Sequence, residues 1–198
     1  MPLSVWCHPE SEGQTQLAAQ IILLHGASSS GKSTIARALQ ARIEKPFWHI
    51  SIDHLRDGGV LPMERFRRGD FDWSDARSAF FDGFHASLAA YADAGNNLIV
   101  EHILDTEGWI ETLRRLFAPH DVFFVAVHCP LPLLISREAE RGDRRPGSAQ
   151  RDFETIHAGR LYDLELDCED GTDANVQALL AAWRSGRRSS EFALPPPG

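Results

Sequence analysis

The sequence is poor in cysteine and in lysine, and it contains no long apolar run. Its three cysteines, Cys7, Cys129 and Cys168, are an odd number at wide spacing. We therefore expect a reduced, cytoplasmic protein rather than a disulfide framework or a metal site. No segment has the roughly 18 to 20 consecutive apolar residues that a membrane helix needs. The segment 1–19 lacks the basic start and apolar centre of a signal peptide, so we expect no membrane partner.

The chain also lacks an excess of basic residues. With 28 acidic and 20 basic residues its formal net charge is −8, which excludes a general nucleic-acid-binding surface but not a small anionic ligand held by local arginines. A length of 198 residues suits one domain. The composition predicts an irregular leader over 1–19, a single domain over 20–184 and a flexible tail over 185–198 that is rich in proline at its end.

Only two of the basic residues are lysines, and one of them lies in a loop of glycines and serines. An apolar run over 21–24 is followed by GASSSGKST and then by a helical pattern, which is the form GxxxxGK[ST] of a phosphate-binding loop in its expected context. Gly26 and Gly31 allow backbone N–H groups to turn toward phosphate oxygens. Lys32 can reach the β- and γ-phosphates of ATP, and Ser33 can ligate Mg²⁺. The candidate nucleotide-binding residues are Gly26, Ala27, Ser28, Ser29, Ser30, Gly31, Lys32, Ser33 and Thr34.

The rest of the chain alternates between strand and helix patterns. Apolar strands are predicted at 21–24, 47–52, 98–100, 121–129 and 161–167. This alternation predicts an α/β fold of the P-loop kinase type, with a parallel sheet of about five strands between two helical layers. Ligands of such sheets bind beyond the carboxyl ends of the strands, so the polar residues at those ends are the candidates for chemistry.

Two carboxylates follow predicted strands. A GTPase is excluded because the second lysine, Lys45, is not part of an Asn/Thr-Lys-x-Asp motif, and a small kinase remains. Asp53 ends the second strand, where it can orient an acceptor hydroxyl and take its proton; the alternative is a turn or helix-capping aspartate. Glu101 ends the third strand, where it can hold Mg²⁺ or contact the substrate; the alternative is a carboxylate without a role.

A basic segment follows the fourth predicted strand. Arg137 and Arg141 lie four residues apart on one face of a predicted helix, and Arg144 and Arg145 follow in a loop. Such a group predicts a lid that closes over phosphates and stabilises the charge of the transferred group. The alternative is salt bridging along the helix surface with neighbouring glutamates.

The segment 53–73 is both basic and aromatic, and we expect it to line the acceptor pocket. Phe66 and Trp73 are the candidate substrate contacts, and Phe71 and three arginines lie close to them in sequence. One interpretation is a pocket for an acceptor that has a ring and an anionic group. The other is a solvated loop with a few side chains anchored in the core.

Five segments taken together resemble the chloramphenicol phosphotransferase-like kinases. They are GASSSGKST, HISID ending at Asp53, LIVEHIL around Glu101, SREAERGDR around Arg137 and Arg141, and HAGRLYDLELD over 157–167. The resemblance implies an ATP-dependent O-phosphotransferase that acts on a small-molecule hydroxyl. It also implies that Asp53 is the general base, that Lys32 and Ser33 bind phosphate and Mg²⁺, and that the two arginines belong to the lid.

The resemblance has a departure that concerns the acceptor. Where the antibiotic-phosphorylating member of the family has an acidic pair, this chain has Glu101 and His102. Three hypotheses therefore stand after the sequence: a kinase that inactivates an antibiotic, a kinase for a nucleotide, sugar or other metabolite, and a nucleotide-binding module without an acceptor. The sequence leaves the acceptor and the oligomeric state open.

Overall fold

The computed structural model describes residues 18–141 and 147–195, which form one parallel sheet between two layers of helices. Three parts of the chain lie outside the described residues. They are residues 1–17 of the predicted leader, the predicted loop with Arg144 and Arg145, and residues 196–198. The strands are β1 (Gln20–His25), β2 (Phe47–Ser51), β3 (Asn97–His102), β4 (Asp121–His128) and β5 (Leu164–Asp167). Their order is β2-β3-β1-β4-β5, and every neighbouring pair is parallel. The predicted fold class is confirmed.

Eight helices connect and cover these strands within the described ranges. They are α1 (Lys32–Gln40), α2 (Ile52–Asp57), α3 (Met63–Arg67), α4 (Trp73–Asp93), α5 (Trp109–Leu116), α6 (Leu131–Arg141), α7 (Ser148–Thr155) and α8 (Thr172–Arg184). Helix α4 begins where the Asp72 carboxylate accepts a hydrogen bond from the Ser74 N–H, which satisfies one of the free donors of the first turn. No helix in these ranges combines the length and the apolar character needed to cross a bilayer.

The central strand β1 is buried on both faces. Its residues alternate between the two layers, so Ile21 and Leu23 pack with α4 and α5, whereas Ile22 and Leu24 pack with α1 and α8. A strand covered on both faces reads as a continuous apolar run rather than as an alternating one. The polar end of β1 is thereby held at one edge of a rigid sheet, which is where the glycine-rich loop begins.

Within the segment 185–198, for which the sequence predicts a flexible tail, the described residues 185–195 pack against the sheet layer. The ring of Phe192 lies 5.1 Å from that of Phe124 on β4. The Arg188 guanidinium forms an ion pair with Asp121 at 2.7 Å. A charge pair and a partly buried ring hold residues whose composition alone, rich in serine and proline, is typical of disorder.

The cysteines differ from the sequence prediction, which was a reduced protein without disulfides. Cys129 follows β4 and Cys168 follows β5, and the structure joins their sulfurs in a disulfide with the Cα atoms 5.2 Å apart. The two residues are 39 positions apart in sequence, which is why spacing suggested isolated thiols. Because β4 and β5 are parallel neighbours, their carboxyl ends meet at one edge of the sheet.

Candidate active site

The loop between β1 and α1 has the backbone geometry that its glycines predict. Gly31 has φ +98°, a conformation that residues with a side chain rarely adopt. At Gly26 an added Cβ would lie 2.5 Å from the carbonyl oxygen of Val127 on β4, so only glycine fits beside this strand. Ser29 has φ 65°, which is uncommon for serine and typical of strained functional loops.

The interior of this loop fits an anion. The Lys32 side chain is 8% exposed, and its Nζ donates hydrogen bonds to the carbonyl oxygens of Gly26 at 2.8 Å and Ala27 at 2.7 Å. The buried hydroxyl groups of Ser28, Ser29 and Ser30 have no hydrogen-bond partner among the described residues. Buried hydroxyls are normally paired, and a phosphate group would supply the acceptors. The residues present therefore fit a bound phosphate.

A serine and a carboxylate form a second part of the site. The Ser33 hydroxyl donates to Glu101 Oε2 at 2.6 Å, and the side chain of His49 on β2 contacts the other carboxylate oxygen. Burial alone would raise the pKa of Glu101, but the hydrogen bonds from His49 and Ser33 and the charge of Lys32 hold that pKa below its usual value. Glu101 is thus an anion at neutral pH, and hydroxyl and carboxylate oxygens are ligands of the kind that Mg²⁺ binds.

Asp53 lies in a helix rather than at the end of a strand. Strand β2 ends at Ser51, whose hydroxyl accepts a hydrogen bond from the His54 N–H at 3.3 Å and caps α2. Asp53 therefore occupies the first turn of α2. Its side chain is 27% exposed and forms an ion pair with Arg56 at 3.2 Å. The prediction that Asp53 ends β2 is off by two residues, because Ser51 caps α2 and the helix begins before the aspartate.

One open cavity of about 800 Å³ joins these parts. Strand order explains its layout, since the segments that follow β2, β3 and β1 lie side by side at the carboxyl edge of the sheet. The glycine loop, Asp53, Glu101 and Arg137 all line it. The cavity continues past the loop over β4 and β5 toward Cys168, Thr172 and Asn175. The sequence predictions for the loop and for the two carboxylates therefore converge on one place.

The predicted lid is described in part. Arg137 on α6 donates a hydrogen bond to the Ser29 carbonyl oxygen at 3.2 Å and contacts Cys129 Sγ at 3.6 Å. Its guanidinium therefore lies against the glycine loop. Arg141 is the last residue of α6, and its side chain lies outside the described residues.

The predicted aromatic contacts are not part of the cavity wall. Phe66 and Trp73 pack against each other with ring centroids 5.5 Å apart, and neither is among the described residues that line the cavity. The rings that do line it are Phe81 on α4 and Trp109 on α5. Sequence reasoning missed them because both lie in helical patterns that are typical of core residues. Arg77, one helical turn before Phe81, was missed for the same reason.

A group of buried histidines lies beneath the cavity. His102 Nδ1 is 2.9 Å from the Ile103 carbonyl oxygen and therefore carries a proton, which leaves its Nε2 to accept from His85 Nε2 at 2.8 Å. His25 Nε2 lies 3.0 Å from the Ile156 carbonyl oxygen. These tautomers are assigned from the hydrogen-bond partners. All three rings make these contacts as neutral imidazoles.

These histidines predict a loss of stability in mild acid. Burial lowers the pKa of His25 to about 4 and that of His102 to about 3. Both values lie below that of an unfolded histidine, so only the unfolded chain gains protons as the pH falls from about 6.5 toward 4. We expect the free energy of unfolding to fall by about 2 kcal/mol for each of the two residues between pH 7.5 and pH 5. Urea denaturation at the two pH values measures this, and equal midpoints would show that the rings titrate as if exposed.

The fold is that of the P-loop kinases, and its glycine loop and two carboxylates line one cavity. Within this class the chain belongs to the chloramphenicol phosphotransferase-like family, whose sequence profile matches residues 19–184. The resemblance noted from the five sequence segments is confirmed.

Curated relatives agree with this assignment. Two proteins of Mycobacterium tuberculosis, from strains CDC 1551 / Oshkosh and H37Rv, are each 31% identical to the chain over 169 residues. The match covers 75% of this chain and 74% of each relative. Both are provisionally named O-phosphotransferases.

Solved structures share the fold at low sequence identity. A gluconokinase from Sinorhizobium meliloti 1021 has a TM-score of 0.60 at 20% identity, over 86% of this chain and 94% of the other. The tunicamycin resistance protein of Deinococcus radiodurans has a TM-score of 0.59 at 16% identity, over 90% and 99%. A shikimate kinase from Aquifex aeolicus has a TM-score of 0.52 at 15% identity, over 84% and 97%. At these identities the comparison carries the fold alone.

Proposed function

We propose that the protein is an ATP-dependent O-phosphotransferase that moves the γ-phosphoryl group of ATP to a hydroxyl of a small molecule. One observation carries the proposal: the glycine loop, the Ser33–Glu101 pair and Asp53 line the same cavity. A phosphate loop alone would fit any nucleotide-binding protein. A carboxylate that faces the same space as the loop is what an acceptor hydroxyl needs.

Nucleotide binding is assigned to the loop and to α1. The backbone N–H groups and serine hydroxyls of residues 26–34 bind the β- and γ-phosphates, helped by the positive end of α1. Lys32 exchanges its bonds to the Gly26 and Ala27 carbonyl oxygens for the phosphates. Ser33 and Glu101 would hold Mg²⁺, which would neutralise charge on the phosphates.

The transfer step is assigned to Asp53 and Arg137. Asp53 takes the proton of the acceptor hydroxyl. At the same time the hydroxyl oxygen of the acceptor bonds to the γ-phosphorus of ATP, and the bond between that phosphorus and the bridging oxygen breaks. Arg137 already lies against the loop, where it stabilises the negative charge of the transferred group. Arg141 is proposed as a second lid arginine on the strength of its position four residues further along α6.

The acceptor is proposed to be a small alcohol, and chloramphenicol is the first candidate because of the family to which the chain belongs. A metabolite alcohol is the second candidate, since Glu101 is followed here by His102 rather than by another acid. We place the activity in the cytoplasm, where ATP is available, and assign it no nucleic-acid or membrane partner. Disulfides are rare in that compartment, so Cys129 and Cys168 would be present there as two adjacent reduced thiols.

Incubation with γ-labelled ATP, Mg²⁺ and a panel of acceptors tests the proposal. The panel contains chloramphenicol, tunicamycin, gluconate, shikimate, nucleosides and simple polyols. We expect label on at least one alcohol and none without Mg²⁺. Tight ATP binding without transfer to any member would instead favour a nucleotide-binding module, the third hypothesis from the sequence.

A further inference from the structure

The cavity has two ends that the strand order separates. The phosphate loop follows β1, and the nucleotide end extends from it over β4 and β5. The other end lies over β3 and β2, next to Asp53, and we call it the acceptor end. The side chains that line the acceptor end include Asp53, Asp57, Arg77, Phe81, Asp105 and Trp109.

Arg77 is held at the acceptor end from several sides. Its Nη2 donates to Asp105 Oδ1 and to Thr106 Oγ1, both at 3.1 Å. Its guanidinium carbon lies 5.0 Å from the centre of the Phe81 ring and 4.7 Å from that of Trp109. Cation–π contacts and a carboxylate partner fix a side chain that is otherwise flexible. The guanidinium has further N–H groups, and the residue lines the cavity.

Charge at the acceptor end favours an uncharged ligand. The positive charge of Arg77 is matched by Asp105. The carboxylates of Asp53 and Asp57 line the same end, and both form ion pairs with Arg56. An acceptor with its own carboxylate or phosphate there would face three carboxylates and two arginines that are already paired. Like charges brought together oppose binding, whereas a hydroxyl or amide oxygen can accept a hydrogen bond from Arg77 without this repulsion.

We propose that Arg77 is a specificity-determining residue for the acceptor, and that its pairing with Asp105 restricts the acceptor to alcohols without a negative charge. The proposal rests on the proposed phosphotransferase function. The guanidinium donates a hydrogen bond to an uncharged oxygen at the part of the acceptor remote from the reacting hydroxyl. The rings of Phe81 and Trp109 supply the apolar wall beside it.

Two small probes test the charge selection. 3-Phenylpropane-1,2-diol and 3-phenyllactate share a phenyl ring and a secondary hydroxyl, and they differ in a CH₂OH group against a carboxylate. Ligand-detected NMR titration, with Mg²⁺ and a non-hydrolysable ATP analogue present, measures their dissociation constants. We expect the wild-type protein to bind the diol at least about tenfold more tightly than phenyllactate.

Two substitutions separate the roles of the pair. Arg77→Met keeps the apolar part of the side chain over the rings and removes the guanidinium donor. The dissociation constant of the diol should therefore rise at least about tenfold. Asp105→Asn keeps a hydrogen-bond acceptor for Arg77 and removes the opposing charge, so phenyllactate should bind about tenfold more tightly. Arg115→Met, on the exposed side of α5, is the matched control and should change neither constant. Thermal melting and affinity for the ATP analogue should stay the same in all variants.

The outcomes distinguish this inference from the proposed function. If the protein binds the diol more tightly than phenyllactate but transfers no label from ATP, the phosphotransferase activity is contradicted. The assignment of the acceptor end then remains in place. A wild-type protein that binds both probes equally, or binds neither, would overturn the assignment. So would an Asp105→Asn variant that shows no gain in affinity for phenyllactate.

Discussion

Asp53→Asn is expected to lower kcat by about 10²- to 10⁴-fold, which is the range for a positioned general base, while affinity for ATP changes little. The amide has the size of the carboxylate but cannot take a proton from the acceptor hydroxyl. Asp53 is fixed in the first turn of α2 by its contact with Arg56 at 3.2 Å. Its carboxylate lines the cavity together with the phosphate loop, yet the nucleotide contacts proposed above come from residues 26–34.

Single-turnover transfer from labelled ATP measures the rate of the chemical step, and titration with a fluorescent ATP analogue measures binding. Asp70→Asn is a suitable control because Asp70 is exposed and pairs with Arg65 at 3.1 Å, away from the residues that line the cavity. Transfer at the wild-type rate by Asp53→Asn would remove this residue from the role of base and leave it a structural part of α2.

Lys32→Met is expected to lower the rate of transfer by about 10²- to 10³-fold, since one donor aimed at developing charge contributes that much. It should also weaken ATP binding, because the ammonium group meets the phosphates before transfer as well as during it. The methionine side chain fills a similar volume, so α1 and the sheet should fold as before. Loss of the hydrogen bonds to the Gly26 and Ala27 carbonyl oxygens will leave the loop itself less ordered.

The chain offers a matched control for this substitution. Lys45 is the other lysine in the sequence; it is exposed, and its Nζ lies 3.4 Å from Gln20 Oε1. Lys45→Met removes the same charge at a distance from the loop and should leave both kcat and ATP affinity close to those of the wild-type protein. Equal losses in the two variants would point to net charge rather than to a phosphate contact.

The phosphate loop could be predicted from the sequence because its geometry is local. Nine consecutive residues, from Gly26 after β1 to Thr34 in the first turn of α1, contain the glycine conformations, the lysine and the serine that we propose to hold the metal. Parallel strands bring their carboxyl ends to one edge, so Asp53 and Glu101 could also be assigned to the site. The two-residue error at Asp53 has a small cause, the capping of α2 by Ser51.

The contacts that depend on register could not be predicted. His49 reaches Glu101 because β2 and β3 pair with Ser51 opposite Glu101, which places His49 on the same face of the sheet. A pair 52 positions apart in sequence has no local signal. The same applies to Arg77 and Asp105, which two separate elements bring together.

Aromatic content proved a poor guide to the acceptor end. Phe66 and Trp73 were predicted to contact the acceptor because the segment 53–73 is both basic and aromatic, and in the structure they contact each other. Phe81 and Trp109 were hidden in helices, where a ring is normally a core residue. The packing of α4 and α5 against the sheet decides which rings reach the cavity, and this packing is a tertiary property.

The ring of Phe192 has a consequence for how the domain is delimited. It covers Phe124 on β4 and lies near Phe117 at the end of α5, although it comes eight residues after α8 ends at Arg184. A polypeptide shortened at the last helix would leave both aromatic side chains facing water and would be prone to self-association. The described segment after α8 therefore contributes, through the short 3-10 helix Glu191–Ala193, to the packing of the α4–α5 side of the sheet.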